Sequence, residues 1–171
     1  IIDDLLSLSR IEQGVERAEI AFADTNLSTV LTAALHSCEP SAKAKRITLA
    51  FDNHQEVHVR ANGALLEQAV TNLVDNAIKY SPDGSRVEVA ASADLADVEI
   101  QVKDNGPGIP KEHISRIFER FYRVDKSRSR DAGGTGLGLA IVKHIVVAHH
   151  GTVSVESELG KGTSFRIRMP R

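Results

Sequence analysis

The stretch that most constrains this chain is Glu67 to Ser81, EQAVTNLVDNAIKYS. In and just before it, Leu65, Leu66, Ala69, Val70, Leu73, Val74, Ala77 and Ile78 recur in pairs four residues apart. That spacing is close to the helical period and predicts one amphipathic helix with an apolar stripe turned into a core. At about 100° per residue, Gln68, Asn72, Asn76 and Lys79 fall together on another face. Asn is a mediocre helix former, so propensity does not explain two of them one turn apart. The polar row has two readings. It is a solvated face, or it offers neutral oxygen ligands beside a cation, which suits a hydrated Mg²⁺ and a phosphate. The helix alone leaves both open.

The rest of the chain alternates helical and strand patterns. Residues 1 to about 18 carry Ile1, Leu5, Leu8 and Ile11 as a narrow seam, expected to meet a partner chain or another helix rather than fold back on the same domain. Glu19 to Ala23 reads as a short strand, and Asp24, Thr25 and Asn26 offer caps for a helix from Leu27 to about Lys45, which Pro40 should kink or split. Ile47 to Phe51 and Val57 to Arg60 read as strands, and Asn62 as the N-cap of the opening helix. After the Asp83-Gly84 turn, Val87/Val89/Ala91 and Val98/Ile100/Val102 alternate as two antiparallel strands joined near Ala93–Ala96. Pro110 opens a short helix to about Phe118. A helix follows Gly138 to about His150, with Gly151 capping its end, and Val153/Val155 with Phe165/Ile167/Met169 close the chain as a hairpin. This order predicts a sheet covered on one face by helices.

Composition removes several classes. With a net charge of −2 the chain has no basic field, so the arginines around Arg120 to Arg130 do not make a nucleic-acid surface. Cys38 is the only cysteine, which excludes an intrachain disulfide and Cys-based zinc sites. No apolar run approaches the roughly 18 residues of a membrane span, and no signal peptide is visible. Lacking an initial Met and opening in mid-helix, the sequence reads as a segment of a longer protein.

Of the twelve glycines, six lie between residues 106 and 138. Gly134-x-Gly136-x-Gly138 immediately precedes a helix, whose N-terminal N–H groups and dipole suit a phosphate chain. Neither a GxxxxGK[ST] loop nor a βαβ glycine fingerprint is present. Asp104 ends a strand and meets Gly106 and Gly108. Such a carboxylate either nucleates a turn or accepts a hydrogen bond from an exocyclic amine, with the glycines making room for a flat ring. The arginines in the glycine-bounded loop suit a lid over phosphates.

In this order, NLVDNAIKYS, DNGPGIP, IFERFYRVD, GGTGLGLAI and ESELGKGTSF resemble the N box, first glycine box, F box, second glycine box and closing motif of the catalytic ATP-binding domain of two-component sensor histidine kinases. They cover about residues 47 to 168, and IIDDLLSLSRIEQG resembles the end of that family's dimerisation and phosphoacceptor helix. FYRVDKSRSR and LAIVKHIV resemble sensors of the phosphate-regulon type. The resemblance implies an α/β two-layer sandwich, a mixed, mostly antiparallel sheet under three helices (the Bergerat fold), over residues 19–171, with residues 1–18 left from the dimerisation domain.

It also implies ATP and Mg²⁺. Asn76 would hold the metal with Asn72 beside it, and Lys79 and Tyr80 would lie near the phosphates and ribose. Asp104 would bind the adenine amine, Gly106, Gly108 and Ile109 would shape the adenine pocket, and Thr163 would support Asp104. Arg123 and Arg128 would reach the phosphates from the lid, and Gly134, Thr135, Gly136, Leu137 and Gly138 would line the polyphosphate. Phe118 and Phe121 would anchor the lid. The implied partners are the protein's own phosphoacceptor domain and a response-regulator receiver domain, with no nucleic acid. The implied parent is a membrane-bound homodimer whose cytoplasmic part this is.

Hydrolases of the same superfamily carry a Glu one turn before the metal-binding Asn. Here that position is Asn72, whose amide cannot take a proton at neutral pH, so phosphotransfer is expected over fast hydrolysis. None of the seven histidines fits the family's phosphoacceptor pattern, so this segment is expected to bind Mg·ATP without phosphorylating itself. Glu67 reads as surface or as a contact to the phosphoacceptor domain. Loss of Arg123 should lower transfer more than ADP binding. Two other classes stay open: a nucleotide-binding module without catalysis, and a serine kinase of the anti-sigma-factor type.

Overall fold

The computed structural model describes residues 2–16, 19–52, 56–124 and 134–171. The elements run α1 (Ile2–Glu16), β1 (Ala23–Asn26), α2 (Leu27–Ala44), β2 (Thr48–Asp52), β3 (His58–Ala61) and α3 (Gly63–Tyr80). They continue with β4 (Arg86–Ala93), β5 (Asp97–Asp104), α4 (Lys111–Ile114), α5 (Gly138–Ala148), β6 (Thr152–Glu158) and β7 (Gly162–Pro170). Five strands form one sheet in the order β2-β4-β5-β7-β6, in which only β2 and β4 are parallel. β1 and β3 pair antiparallel in a separate two-stranded sheet. Among the described residues no helix is long and apolar enough to cross a membrane.

The two layers meet where the two periodicities meet. Leu66, Ala69, Val70, Leu73, Val74, Ala77 and Ile78 of α3 are buried, as the stripe predicts. Along β5 the buried positions alternate as Val98, Ile100, Val102 and Asp104, and along β7 as Thr163, Phe165, Ile167 and Met169. Successive strand side chains point to opposite faces, so these rows turn towards the helices. At about 1.5–3 kcal/mol for each fully buried aliphatic side chain, this interlayer core is the main force holding α3 on the sheet.

Asn62 caps α3 as expected, its side chain accepting from the Leu65 N–H at 3.0 Å. The end of α3 is held by Lys45, whose ammonium donates to the carbonyls of Ile78, Lys79 and Ser81 at 2.9, 3.0 and 2.7 Å. A cation at a helix C-terminus satisfies carbonyls that have no partner within the helix. Cys38 is buried in α2, and its thiol is pushed up to about 12, first by burial and then by Asp75.

Several local expectations are corrected. The strand expected at Glu19–Ala23 starts at Ala23 and runs to Asn26, because its partner is β3. Pro40 does not split α2. The carbonyl it deprives of a bond is that of His36, which is on the exposed side one turn earlier, where water can replace the bond. The helix after Pro110 is one short turn, Lys111–Ile114, followed by turns to Phe121. At the end of α5 it is His150, not Gly151, that takes the left-handed conformation, with φ 57°. His150 and Gly151 donate to Val147 and Val146 at 2.9 Å each, which is the Schellman pattern. Gly151 is required for space instead, since a Cβ there would lie 2.5 Å from the Arg168 carbonyl oxygen. In α1 the seam divides: Leu8 and Ile11 are buried against the chain's own α5, while Ile2, Leu5 and Leu6 are exposed.

His149 joins the start of α3 to the end of α5. Its Nε2 accepts from the Asn62 backbone N–H at 3.0 Å, and its Nδ1 donates to the Ile145 carbonyl at 2.7 Å. It is 5% exposed, and burial holds its imidazole below the usual range. A depressed folded-state value means that the native chain resists protonation while the unfolded chain, near 6.5, does not. The stabilisation is complete above that value and is lost as pH falls towards the folded value. Urea midpoints of the parent should therefore drop more between pH 7 and pH 5 than those of His149→Gln. Equal drops would refute the linkage.

Candidate functional site

Two groups of residues meet at the end of α3. The first lines a cavity of about 290 Å³ bounded by Asn72, Asn76, Lys79, Tyr80, Arg123, Gly134, Thr135, Gly136 and Gly138. Asn72 and Asn76 look across at the start of α5. Asn72 Nδ2 donates to the Gly138 carbonyl at 3.4 Å, and a Cβ on Gly138 would come within 4.0 Å of both carboxamides. Gly134 lies against Lys79 so closely that a Cβ would collide with Nζ. Gly136 has φ 75°, and a Cβ there would stand 2.9 Å from the Phe121 backbone. The Phe121 N–H in turn donates to the Gly136 carbonyl at 2.9 Å. The two ends of the segment between Phe121 and Gly136 are therefore clamped together at the cavity.

The cavity holds two cations, Lys79 and Arg123, set against the carboxylates of Asp4 and Asp75 on its wall. Burial, and then Arg123, lowers the Lys79 ammonium below its usual value. Arg123 Nη2 is buried with no hydrogen-bond partner among the described residues. Two cations that repel each other, one with an unpartnered buried donor, are stabilised when a polyanion enters between them. Tyr80 stacks under the ammonium with its ring centre 5.3 Å from Nζ.

The second group is set by strand register. Asp104 pairs with Thr163 across β5 and β7, and Thr163 pairs with Ser157 across β7 and β6. Asp104 is 7% exposed. Among the described residues both its hydrogen bonds fall on Oδ1, from the Gly106 N–H at 2.8 Å and the Thr163 N–H at 3.3 Å, which leaves Oδ2 for a ligand. Burial pushes its carboxyl up, and these two N–H groups oppose the shift. Gly108, at φ 74°, abuts the Glu158 carbonyl, and the Gly160 N–H donates to the Pro107 carbonyl at 2.8 Å. The Ile109 N–H donates to Ser157 Oγ at 2.8 Å. The two groups touch where Gly106 lies against the Tyr80 carbonyl, 3.3 Å from where a Cβ would be.

Of the residues singled out from sequence, Leu137 departs. It is fully buried in the core and does not line the cavity, because it is the apolar anchor from which α5 starts. Arg128 lies outside the described residues. Phe118 packs edge-on to Phe165 at 6.2 Å, whereas Phe121 is 56% exposed and bonds Gly136 through its backbone. Sequence reasoning missed Tyr122, Asp75 and Asp4, which line the cavity, and Ser157. Tyr122 is adjacent to Arg123, and its hydroxyl meets His113 Nδ1 at 2.6 Å while Arg116 covers its ring at 4.4 Å. No helical or strand periodicity in the sequence marked these residues.

α1 is tied to the same region. Gln68 Nε2 donates to Ser7 Oγ at 2.6 Å. Glu12 accepts from Arg120 and lies 3.5 Å from His144 Nε2. Desolvation lowers the His144 imidazole against the opposing pull of Glu12.

Residues 61–171 match the family described as histidine kinase-, DNA gyrase B- and HSP90-like ATPases. The chain is 40% identical to the sensor-like histidine kinase SenX3 of Mycolicibacterium smegmatis over 99% of its own length and 44% of the relative's. It is 36% identical to the phosphate regulon sensor protein PhoR of Pseudomonas aeruginosa over 96% of its length and 37% of that protein's. Among solved structures it resembles the mycobacterial sensor histidine kinase MprB, with a TM-score of 0.74 and 31% identity over 88% of this chain and 97% of that one. It also resembles full-length ShkA in complex with AMPPNP, with a TM-score of 0.81 and 29% identity over 99% of this chain and 35% of that one. The chain thus spans less than half the length of the sensor kinases SenX3 and PhoR.

Proposed function

The chain belongs to the histidine kinase-, DNA gyrase B- and HSP90-like ATPase family, and from that premise we propose that it is the ATP-binding catalytic part of a sensor histidine kinase. It would bind Mg·ATP and pass the γ-phosphoryl group to a histidine on a phosphoacceptor domain, for relay to a response-regulator receiver domain. The observation that carries this reading is the Arg123 Nη2 atom, buried and without a hydrogen-bond partner among the described residues, beside Lys79 in the cavity that Asn72 and Asn76 also line. The relative ShkA, solved with AMPPNP, adds support. α1 would be the end of the dimerisation helix, and the rest of the parent protein would supply the phosphoacceptor histidine and the membrane anchor.

The donor set fits Mg²⁺. No cluster of three His, Cys, Asp or Glu side chains able to hold a metal occurs among the described residues. An ion here would be held by the Asn76 carboxamide, with Asn72 beside it, and would keep most of its ligands as water and phosphate oxygens, which is the habit of Mg²⁺. Bound there, it would neutralise charge on the β- and γ-phosphates. Lys79 and Arg123 orient the phosphate chain and share its charge, and Asp104 holds the base. Asn72 cannot serve as a base for water, so the acceptor is the incoming imidazole. Its ring nitrogen forms a bond to the γ-phosphorus, the bond to the bridging oxygen breaks, and ADP leaves with the electron pair.

The test mixes the chain with γ-labelled ATP and a separate phosphoacceptor domain. Acid-labile, base-stable label should appear on the added domain and not on the chain itself, and Asn76→Ala should reduce it by at least tenfold in Mg²⁺. Acid-stable label would favour the serine kinase. ATP binding without transfer would favour a nucleotide-binding module.

A further inference from the structure

The rows of side chains that cross β6, β7 and β5 on the helix-facing side are apolar until the last one. Val153, Ile167 and Ile100 form one row, and Val155, Phe165 and Val102 the next. Ser157, Thr163 and Asp104 form the last, and it is wholly polar. Ser157 is its hub. Its Oγ accepts from the Ile109 N–H at 2.8 Å, donates to the Gly162 carbonyl at 3.0 Å, and lies 2.9 Å from Thr163 Oγ1. A hydroxyl has one proton to donate. With the serine proton committed to Gly162, the contact with Thr163 is made by the threonine proton. Thr163 then presents only lone pairs to anything bound beside Asp104.

We propose that Ser157 is a positioning residue that sets the base preference of the site by fixing Thr163 as a hydrogen-bond acceptor. This rests on the reading of Asp104 and Thr163 as the base-binding pair. Two acceptors, Asp104 Oδ2 and Thr163 Oγ1, match a purine with an amine at C6 and repel one with a carbonyl. Through Ile109 the same serine oxygen also holds the loop containing Gly106 and Gly108, so the pocket floor and the acceptor polarity share one atom. Without Ser157 Oγ the Thr163 hydroxyl is free to rotate and to donate, and it then serves an amine and a carbonyl alike.

The experiment measures ATP and ITP affinities by competition against a fluorescent nucleotide, for the parent chain, Ser157→Ala and Ser157→Thr. The parent should prefer ATP. In Ser157→Ala the ATP-over-ITP ratio should fall about three- to tenfold, the span of one neutral hydrogen bond. Ser157→Thr keeps the oxygen and should retain the parent ratio. Equal losses for both nucleotides in Ser157→Ala would assign the serine a purely structural role and overturn the proposal, as would an unchanged ratio. A parent that binds neither nucleotide would overturn the reading of the site itself.

Discussion

Asp104→Asn should shift the base preference of the site from ATP towards ITP. In the native chain Oδ1 is taken by the N–H groups of Gly106 and Thr163. An asparagine in the same position must satisfy those two donors with its carbonyl oxygen, so its NH₂ replaces Oδ2 at the ligand. The adenine amine would then face a donor, while the C6 carbonyl of hypoxanthine would face a matched one. One lost contact and one gained contact, each worth roughly 1–3 kcal/mol in a dry pocket, shift the ATP-to-ITP ratio by about two orders of magnitude or more. Burial already disfavours the charged carboxylate. The neutral isostere therefore spares that cost, and unfolding midpoints should not fall. Competition binding with both nucleotides checks the prediction, and a parallel loss of ATP and ITP affinity would show that Asp104 does not read the C6 position.

Gly162→Ala should be among the most destabilising single changes in the chain, and it should reach the same carboxylate. Gly162 has φ 98°, and a Cβ would collide with the carbonyl oxygen of Asp104 itself. Left-handed backbone alone costs a residue with a Cβ about 1–2 kcal/mol. Here a backbone clash adds to it, since β7 is paired along its length to β5 and cannot retreat without breaking the ladder. A total of roughly 3–4 kcal/mol is expected, a large share of a small domain's stability. Gly160 is the control: its φ is 78° but nothing lies within 4 Å of its Cβ position. Gly160→Ala should lose only the backbone part. Chemical denaturation of the two variants separates strain from clash, and equal losses would mean that β7 yields where the geometry says it cannot.

The helix from Gly63 to Tyr80 was legible because a period of 3.6 is written into every residue of its apolar stripe, and its Asn62 cap is a local interaction. The β4–β5 and β6–β7 hairpins were legible for the same reason, with a period of 2 and turns beside them. Where local propensity and tertiary context compete, the outcome was not. Pro40 is tolerated because the orphaned carbonyl is at the surface. β1 is placed by its pairing to β3, and Gly151 is required by the approach of Arg168 rather than by the helix end it follows.

For the site, the sequence by itself determined the chemistry on offer: two carboxamides and a lysine on one face of a helix, a carboxylate at the end of a strand, and glycines before a second helix. These are local patterns, and a local pattern survives translation into structure. The tertiary structure alone decided which of these meet. Register across three strands puts Ser157, Thr163 and Asp104 in one row. The Phe121–Gly136 bond sets those two residues side by side at the cavity, and packing brings Arg123 beside Lys79 with Nη2 unpaired among the described residues. The pairs Asp104–Thr163 and Lys79–Arg123 are far apart in the chain, and no short window of sequence contains both partners.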